Sequence, residues 1–198
     1  MTHTTQEEEQ LALAQESLRG FGIDAETFKE AFRHHPGGVA VITADAGDGP
    51  AALTVTSLAS ISADPPLLVF SVSDQSSAAA TICGATSFVA HLTTADSIDI
   101  AKLAAAHGVD RFADATLWDR MPTGEPYYVA VKNRLRCRVI DEIRAGSSTV
   151  VVGLALEASE LPANPGAPLA YHNRTWHRLD ESSRLEPARP ADRDGATA

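Results

Sequence analysis

Cysteine, basic charge and long apolar runs are all scarce in this sequence, and each scarcity excludes a class of protein. The two cysteines, Cys83 and Cys137, stand in unrelated contexts, so we expect neither a disulfide framework nor a cysteine-based metal site. Lys and Arg number 16 against 26 Asp and Glu, which gives a net charge of -10. A nucleic acid is therefore not expected as a partner, because its backbone is a polyanion.

The apolar runs are short, since none approaches the roughly 20 residues that a membrane-spanning helix needs. The first nine residues, Met1 to Glu9, are acidic and lack a signal-peptide pattern. We therefore expect a cytoplasmic protein that does not associate with membranes.

Motifs for several common enzyme chemistries are also missing. The sequence has no Gly-x-Ser-x-Gly element, no Walker-type phosphate loop and no Gly-x-Gly-x-x-Gly between a strand and a helix. Cys83 and Cys137 are interpreted as ordinary core or edge residues rather than nucleophiles. His172 and His177 lie on opposite sides of a short predicted hairpin, where we expect them to be able to approach, but a histidine pair without a carboxylate is a poor metal site. No metal is expected.

Short strand patterns dominate the chain. Strands are predicted at 39–43, 67–72, 88–92, 127–131, 135–140, 149–157, 169–172 and 175–179, and helices at 6–19, 25–34, 78–83 and 97–106. This pattern is typical of an antiparallel barrel whose openings or edges are covered by helices. We expect a helical arm over 1–19, one domain over 20–180 and a disordered tail over 181–198.

Residues 54–66 are unusually rich in hydroxyl side chains, with five Ser and Thr among the first nine positions. We predict that they form the second strand of a hairpin with residues 39–43, with one polar edge and one apolar face. The segment fits an ordinary solvent-facing strand. It also fits a strand whose hydroxyls and N–H groups hold a phosphate or the polar edge of a ring.

A nucleotide-type ligand on that strand would also need a cation and an apolar wall. The candidate cations are Arg111 and Lys102, and the candidate wall is Leu53, Val55 and Phe70.

A series of motifs follows in order from Phe28 to Leu179. Residues 32–43 read Phe-Arg-His-His-Pro-Gly-Gly-Val-Ala-Val-Ile-Thr, and Thr54-x-x-Ser57-x-x-Ser60-x-Ser62 is followed by Asp64-Pro65-Pro66-Leu67. The later motifs are Ser76-Ser77, Phe88-Val89, Asp110-Arg111-Phe112, Gly124-x-Pro126, Cys137-Arg138-Val139 and Pro168-Leu169-x-Tyr171-His172. This ordered series resembles the flavin reductase-like, FMN-binding split-barrel family.

The resemblance implies a mainly β fold, namely a six-stranded antiparallel Greek-key split barrel with flanking helices. It implies a homodimer with the flavin at the subunit interface. It further implies an NAD(P)H-dependent flavin reductase, in which NADH or NADPH reduces FMN, or FAD, and the reduced flavin serves a partner monooxygenase. Because such cofactors carry the chemistry, no acid–base dyad is required.

The resemblance also implies positions for the cofactors. The flavin ring and ribityl chain are expected beside Leu53, Thr54, Thr56 and Ser57. The ribityl phosphate is expected near Ser71, Ser73 and Ser77, with Arg111 as a further contact. His172 is expected to face the nicotinamide.

Two segments depart from the family pattern. Gly146-Ser147-Ser148 replaces a common Gly-Asp-His, whose His is associated with the nicotinamide. His172 and His177 are the candidate substitutes for that His. Val89-Ala90-His91-Leu92 replaces Val-Asn-Val-Leu, and we expect His91 to be a hydrogen-bonded barrel histidine. Two alternatives stay open: a flavin-binding protein with little reductase activity, for storage or sensing, and a split barrel for another planar cofactor such as heme or a deazaflavin.

Overall fold

The computed structural model describes residues 21–159, 163–164 and 166–185. The predicted helix 6–19 and the part of the predicted tail beyond residue 185 lie outside these residues. Within them, no helix has the length and apolar character needed to cross a bilayer. A 3-10 turn, Glu181–Ser183, follows directly after the predicted end of the domain and is capped by Asp180.

Strands far outnumber helices in the described chain. The helices are α1 (Ala25–Arg33), α2 (Ala79–Gly84) and α3 (Ile98–Ala105). The strands are β1 (Gly37–Gly38), β2 (Ala40–Asp45), β3 (Pro50–Val55), β4 (Ala59–Ala63), β5 (Pro66–Ser73), β6 (Ser87–Leu92), β7 (Trp118–Arg120), β8 (Pro126–Tyr128), β9 (Arg134–Ala145), β10 (Ser148–Ala158), β11 (Leu169–His172) and β12 (Thr175–Arg178).

The main sheet is antiparallel throughout, in the order β3-β2-β6-β9-β10-β5-β4. Strands β3 and β5 also approach each other, so the six strands from β3 to β5 curl into a barrel and β4 folds back along β5. Two smaller sheets, β1-β11-β12 and β7-β8, flank it. The mainly β split-barrel prediction is confirmed.

Strand β2 separates two hydrophobic cores. Successive side chains of a strand point to opposite faces, and here Ile42 packs inside the barrel while Val41 packs outside it. The inner core contains Phe70 and Phe88, whose rings meet edge to face at 5.1 Å. The outer core attaches α3 to the outside of β2 and β3, which places that helix beside the predicted ligand strand.

Residues 54–66 do not form the single strand that we predicted. Strand β3 ends at Val55, the chain turns at Thr56, Ser57 and Leu58, and β4 begins at Ala59. The turn is necessary because β3 pairs with β2 whereas β4 pairs with β5 on the opposite side of the opening. The strand predictions also missed Gly37 and Gly38, which form β1 against β11.

The predicted apolar wall is wrong for two of its three residues. Val55 and Phe70 are only 6% and 1% exposed and lie in the inner core, because the strand alternation directs them into the barrel. A ligand on the outside of the barrel does not reach them. Leu53 is half-buried and packs against the same core.

His91 is the barrel histidine that the sequence predicted. Its side chain is fully buried. Its Nδ1 donates to the carbonyl of Val41 at 3.0 Å, and its Nε2 accepts from the N–H of Tyr128 at 3.0 Å. Burial lowers its pKa from 6.5 to about 4, so the ring is neutral near pH 7.

Candidate functional site

Two clefts open at the two ends of β3. The His172 cleft, of about 600 Å³, lies at the Val55 end and is lined by Phe28, Lys29, Phe32, Arg33, His35, Gly37, Thr56, Ser57, Tyr171, His172, Asn173 and Arg174. The Arg111 cleft, of about 490 Å³, lies at the Pro50 end and is lined by Asp48, Gly49, Pro50, Ala51, Ala52, Ser77, Ala78, Thr81, Val109, Asp110, Arg111, Phe112 and Trp118. Both volumes are in the range of ligand sites.

The structure divides the predicted flavin contacts between these clefts. Thr56 and Ser57 line the His172 cleft together with His172. Ser77 and Arg111 line the Arg111 cleft. The remaining predicted contacts, Leu53 and Thr54 on β3 and Ser71 and Ser73 on β5, lie on the strands that close the barrel.

The outer edge of β3 runs from one cleft to the other. Arg111 Nη1 donates to the carbonyl of Ala52 at 2.9 Å, so this carbonyl points away from β2. Residues two apart on a strand share an orientation, and the N–H and C=O of Thr54 therefore face the same outer edge. The Thr54 hydroxyl donates to the carbonyl of Ala101 in α3 at 2.7 Å, which fixes the strand against that helix.

The turn after β3 is held from two sides. The Oγ of Ser57 accepts a hydrogen bond of 3.0 Å from the N–H of Ser71. On the other side, a Cβ on Gly37 would lie 2.9 Å from the Cβ of Thr56, so only glycine lets β1 come this close. The turn thereby forms a rigid floor for the His172 cleft.

The loop after β5 contains the predicted phosphate contacts. The Oγ of Ser73 accepts from the N–H of Gln75 at 3.3 Å, and the Oγ of Ser76 accepts from the N–H of Ala78 at 3.3 Å. Arg144 pairs with both carboxylate oxygens of Asp74, at 2.9 and 3.0 Å. These bonds order the loop and leave Ser77 exposed beside the Arg111 cleft.

Gly146, Ser147 and Ser148 form the tip of the β9–β10 hairpin, where Gly146 adopts a φ of +62°. The carbonyl of Ser147 accepts from the N–H of Asp74 at 3.0 Å. The segment that replaces the family Gly-Asp-His thus lies against the loop after β5, and it is not part of the described lining of the His172 cleft.

Arg111 is first of all a structural residue. Besides the bond to Ala52, its Nη2 donates to the carbonyl of Ala106 at 2.7 Å, so it ties β3 to the end of α3. Its Nε is buried and has no hydrogen-bond partner among the described residues. The further role that we predicted, as a contact for the flavin phosphate, stays a prediction.

The His172 cleft carries positive charge that no sequence pattern predicted. Lys29 and Arg33 reach it from α1, and Arg174 reaches it from the β11–β12 turn. Phe28 and Phe32 of α1 line the same cleft, and nothing in the sequence placed them beside Arg174. The His172 ring lies 5.7 Å from that of His177 and 6.2 Å from that of His34, which confirms that the two histidines of the hairpin approach.

Other chemistries find little support. Burial raises the pKa of the Cys137 thiol to about 12 and also raises that of Cys83, so neither is an activated nucleophile near pH 7. Among residues 21–159, 163–164 and 166–185, no group of three or more His, Cys, Asp or Glu side chains is placed to hold a metal ion. The site therefore offers the backbone edge of β3, hydroxyl groups and positive charge.

The chain is similar to known proteins over most of its length. A sequence profile of the flavin reductase like domain matches residues 32–180. The chain belongs to the flavin reductase-like domain family. It is 36% identical over 179 residues to an NADH:FMN oxidoreductase of Rhodococcus qingshengii, which covers 89% of this chain and 92% of the relative.

Two further similar proteins are informative. The chain is 24% identical over 173 residues to the reductase component of a 4-nitrophenol 4-monooxygenase/4-nitrocatechol 2-monooxygenase of Rhodococcus opacus, covering 83% of this chain and 92% of the relative. A crystal structure of a flavin reductase domain protein from Arthrobacter sp. FB24 superimposes with a TM-score of 0.75 at 29% identity, covering 83% of this chain and 99% of the other. The flavin reductase-like domain of this chain therefore spans nearly the whole length of these relatives.

Proposed function

We propose that this protein is a flavin reductase that transfers a hydride from NADH to FMN and supplies the reduced flavin to a separate monooxygenase. The observation that carries the proposal is the outer edge of β3, which runs between two clefts, in a chain with an NADH:FMN oxidoreductase as a relative. The relative from Rhodococcus opacus supports a monooxygenase partner. NADPH and FAD are secondary candidates for the same positions, and a cytoplasmic location stays a prediction.

The residues present fit FMN. The outward N–H and C=O of Thr54 suit the polar edge of the ring, and Gly37, which has no side chain, leaves room beside Thr56. We assign Leu53, Thr54, Thr56 and Ser57 to the ring and ribityl chain, and Ser71, Ser73, Ser77 and Arg111 to the phosphate end. The unpartnered Nε of Arg111 and the exposed hydroxyls of Ser73 and Ser77 support the second group.

The main task of the protein in this reaction is to align the flavin ring with the nicotinamide. When bound, FMN supplies the hydride acceptor and NADH the hydride donor. The Ser57–Ser71 bond and the Gly37–Thr56 contact fix the floor, while β11 holds His172 on the wall of the same cleft, where it orients the nicotinamide. Such positioning lowers the barrier without a residue that moves a proton.

The predicted homodimer is part of this proposal, and the outer face of β5, β10 and β9 supports it. This face carries Val69, Val150 and Val152, which alternate with buried residues and are only partly covered. An antiparallel sheet with a solvated face ordinarily shows polar residues there. Val150 lies directly opposite Ser71, so a second copy packed on this face would border the predicted phosphate contacts.

The experiment is an assay of NADH oxidation by the purified protein with and without added FMN. We expect turnover that depends on FMN, with NADH preferred to NADPH. FMN that stays bound without turnover would instead favour a storage or sensing protein, an alternative that the replacement of the family Gly-Asp-His by Gly146-Ser147-Ser148 supports. Heme or deazaflavin absorbance in the purified protein would reject both.

A further inference from the structure

Three basic side chains gather in the His172 cleft of a chain whose net charge is -10. Lys29 pairs with Glu26 at 2.7 Å and Arg33 pairs with Glu30. Arg174 forms no salt bridge with any carboxylate in the described part of the chain. Lys29, by a hydrogen bond and by its charge, and then Arg33 and Arg174 by their charges lower the pKa of Glu26, so all three charges act on one small region.

The backbone of Arg174 is held in an unfavourable conformation. Asn173 and Arg174 form the β11–β12 turn with φ values of 47° and 60°. Two-residue hairpin turns of this kind favour Asn followed by Gly, because glycine adopts positive φ without strain. An arginine in the glycine position keeps a long cationic side chain at the edge of the cleft. Strain of this kind is found at functional sites.

The turn is also anchored to the helix that carries the other two cations. The N–H of Asn173 donates to the carbonyl of Arg33 at 3.0 Å. The rings of Phe28 and Phe32 lie in the same cleft with their centroids 4.7 Å apart and their planes tilted by 37°, and both are more than half exposed. The cleft thus presents fixed positive charge next to an exposed aromatic surface, the combination that binds a phosphate and a base together.

We propose that Arg174, with Arg33 and Lys29, binds the diphosphate of the dinucleotide co-substrate, and that Phe28 and Phe32 contact its adenine. The inference rests on the proposed function, because it extends the nicotinamide position at His172. Arg174 is two residues further along the same hairpin, so one dinucleotide can reach both. The flavin monophosphate is the other source of phosphate, but its expected contacts lie on β5 and the loop after it.

The test compares Arg174→Gly with the unaltered protein and with Arg178→Gly as the matched control. Arg178 lies on the same hairpin, pairs with Asp96 at 3.6 Å and does not line the described cleft. Steady-state kinetics use NADH and dihydronicotinamide riboside, which lacks phosphate and adenine. Calorimetry measures the binding of ADP-ribose to flavin-free protein.

We expect Arg174→Gly to lower kcat/KM for NADH and the affinity for ADP-ribose about tenfold, on the scale of one lost charge-assisted contact. The kcat/KM for the riboside should stay unchanged, and thermal stability should hold or rise because glycine relieves the strained turn. Arg178→Gly should leave both kinetic constants and ADP-ribose affinity unchanged.

Three results overturn the inference while the proposed function stands: NADH kinetics within twofold of the unaltered protein, equal losses with NADH and the riboside, or a loss of affinity for FMN but not for riboflavin. The last result would assign the cations to the flavin phosphate. If the unaltered protein oxidises neither NADH nor the riboside in the presence of FMN, the proposed function itself fails. ADP-ribose binding that does not depend on Arg174 would then reject the inference as well.

Discussion

The Oγ of Ser57 accepts a 3.0 Å hydrogen bond from the backbone N–H of Ser71 across the place where the barrel closes. Both residues were predicted to contact the flavin. The bond means that Ser57 also supports the fold, because it joins the turn after β3 to the middle of β5. Stability and flavin affinity are therefore linked at this position.

Replacing Ser57 tests that link. We expect Ser57→Ala to lower the free energy of unfolding by about 1 kcal/mol, since the Ser71 N–H loses its acceptor. We expect Ser57→Ala with Thr54→Ala to weaken FMN binding by more than about 1 kcal/mol. Urea unfolding and quenching of flavin fluorescence measure the two effects. Ser60→Ala, at an exposed position on β4, is the control, and unchanged affinity in the double variant would place the flavin elsewhere.

Arg111→Met tests the tie between β3 and α3. Loss of the bonds to the carbonyls of Ala52 and Ala106 should destabilise the fold by about 2 to 4 kcal/mol, on the scale of hydrogen bonds to charged groups and allowing for partial exposure. Denaturant unfolding measures this loss. Affinities for FMN and riboflavin, measured in parallel, assign the phosphate: a larger loss for FMN is expected if Nε contacts it, and equal losses would restrict Arg111 to the structural role.

His91 predicts a pH dependence of stability. Its folded pKa of about 4 lies below the ordinary value of 6.5, so between these values the unfolded chain binds a proton that the folded chain does not. The contribution of the neutral His91 ring to the free energy of unfolding is therefore complete above pH 6.5 and is lost as the pH falls towards 4. The full loss is about 3 kcal/mol.

Unfolding at pH 7.5 and pH 5 checks this expectation. His91→Gln should be less stable than the unaltered protein at pH 7.5 and should show a flatter dependence, because its amide does not titrate. Parallel pH profiles for the two proteins would show that other groups cause the acid sensitivity.

Val150→Lys tests the proposed dimer. A lysine on the outer face of β10, opposite Ser71 and Ile143, should leave the monomer folded but disfavour burial of that face, because a buried unpaired charge is costly. Sedimentation equilibrium should show a shift from dimer to monomer. Thr175→Lys, at an exposed position on β12, should remain dimeric. A dimeric Val150→Lys variant would place the interface on another face.

The short strand patterns were sufficient to predict an antiparallel barrel, and the resemblance carried by the ordered motifs predicted the split barrel and its family. The hairpin of β11 and β12 was predicted around Asn173 and Arg174, because turn residues separate two short apolar runs. The hydrogen-bonded role of His91 was likewise predicted, since its position in a barrel strand requires partners for both ring nitrogens.

Only the tertiary structure decided how these parts meet. Local pattern continued residues 54–66 as one strand, whereas barrel closure breaks them at Ser57, since β3 and β4 pair with different neighbours. The tertiary structure also decided that Val55 and Phe70 face the core and that Arg33 and Arg174 share a cleft. Sequence determines which residues prefer strands and which faces are apolar. Contacts between distant segments depend on how the sheet curls, which is a property of the whole chain.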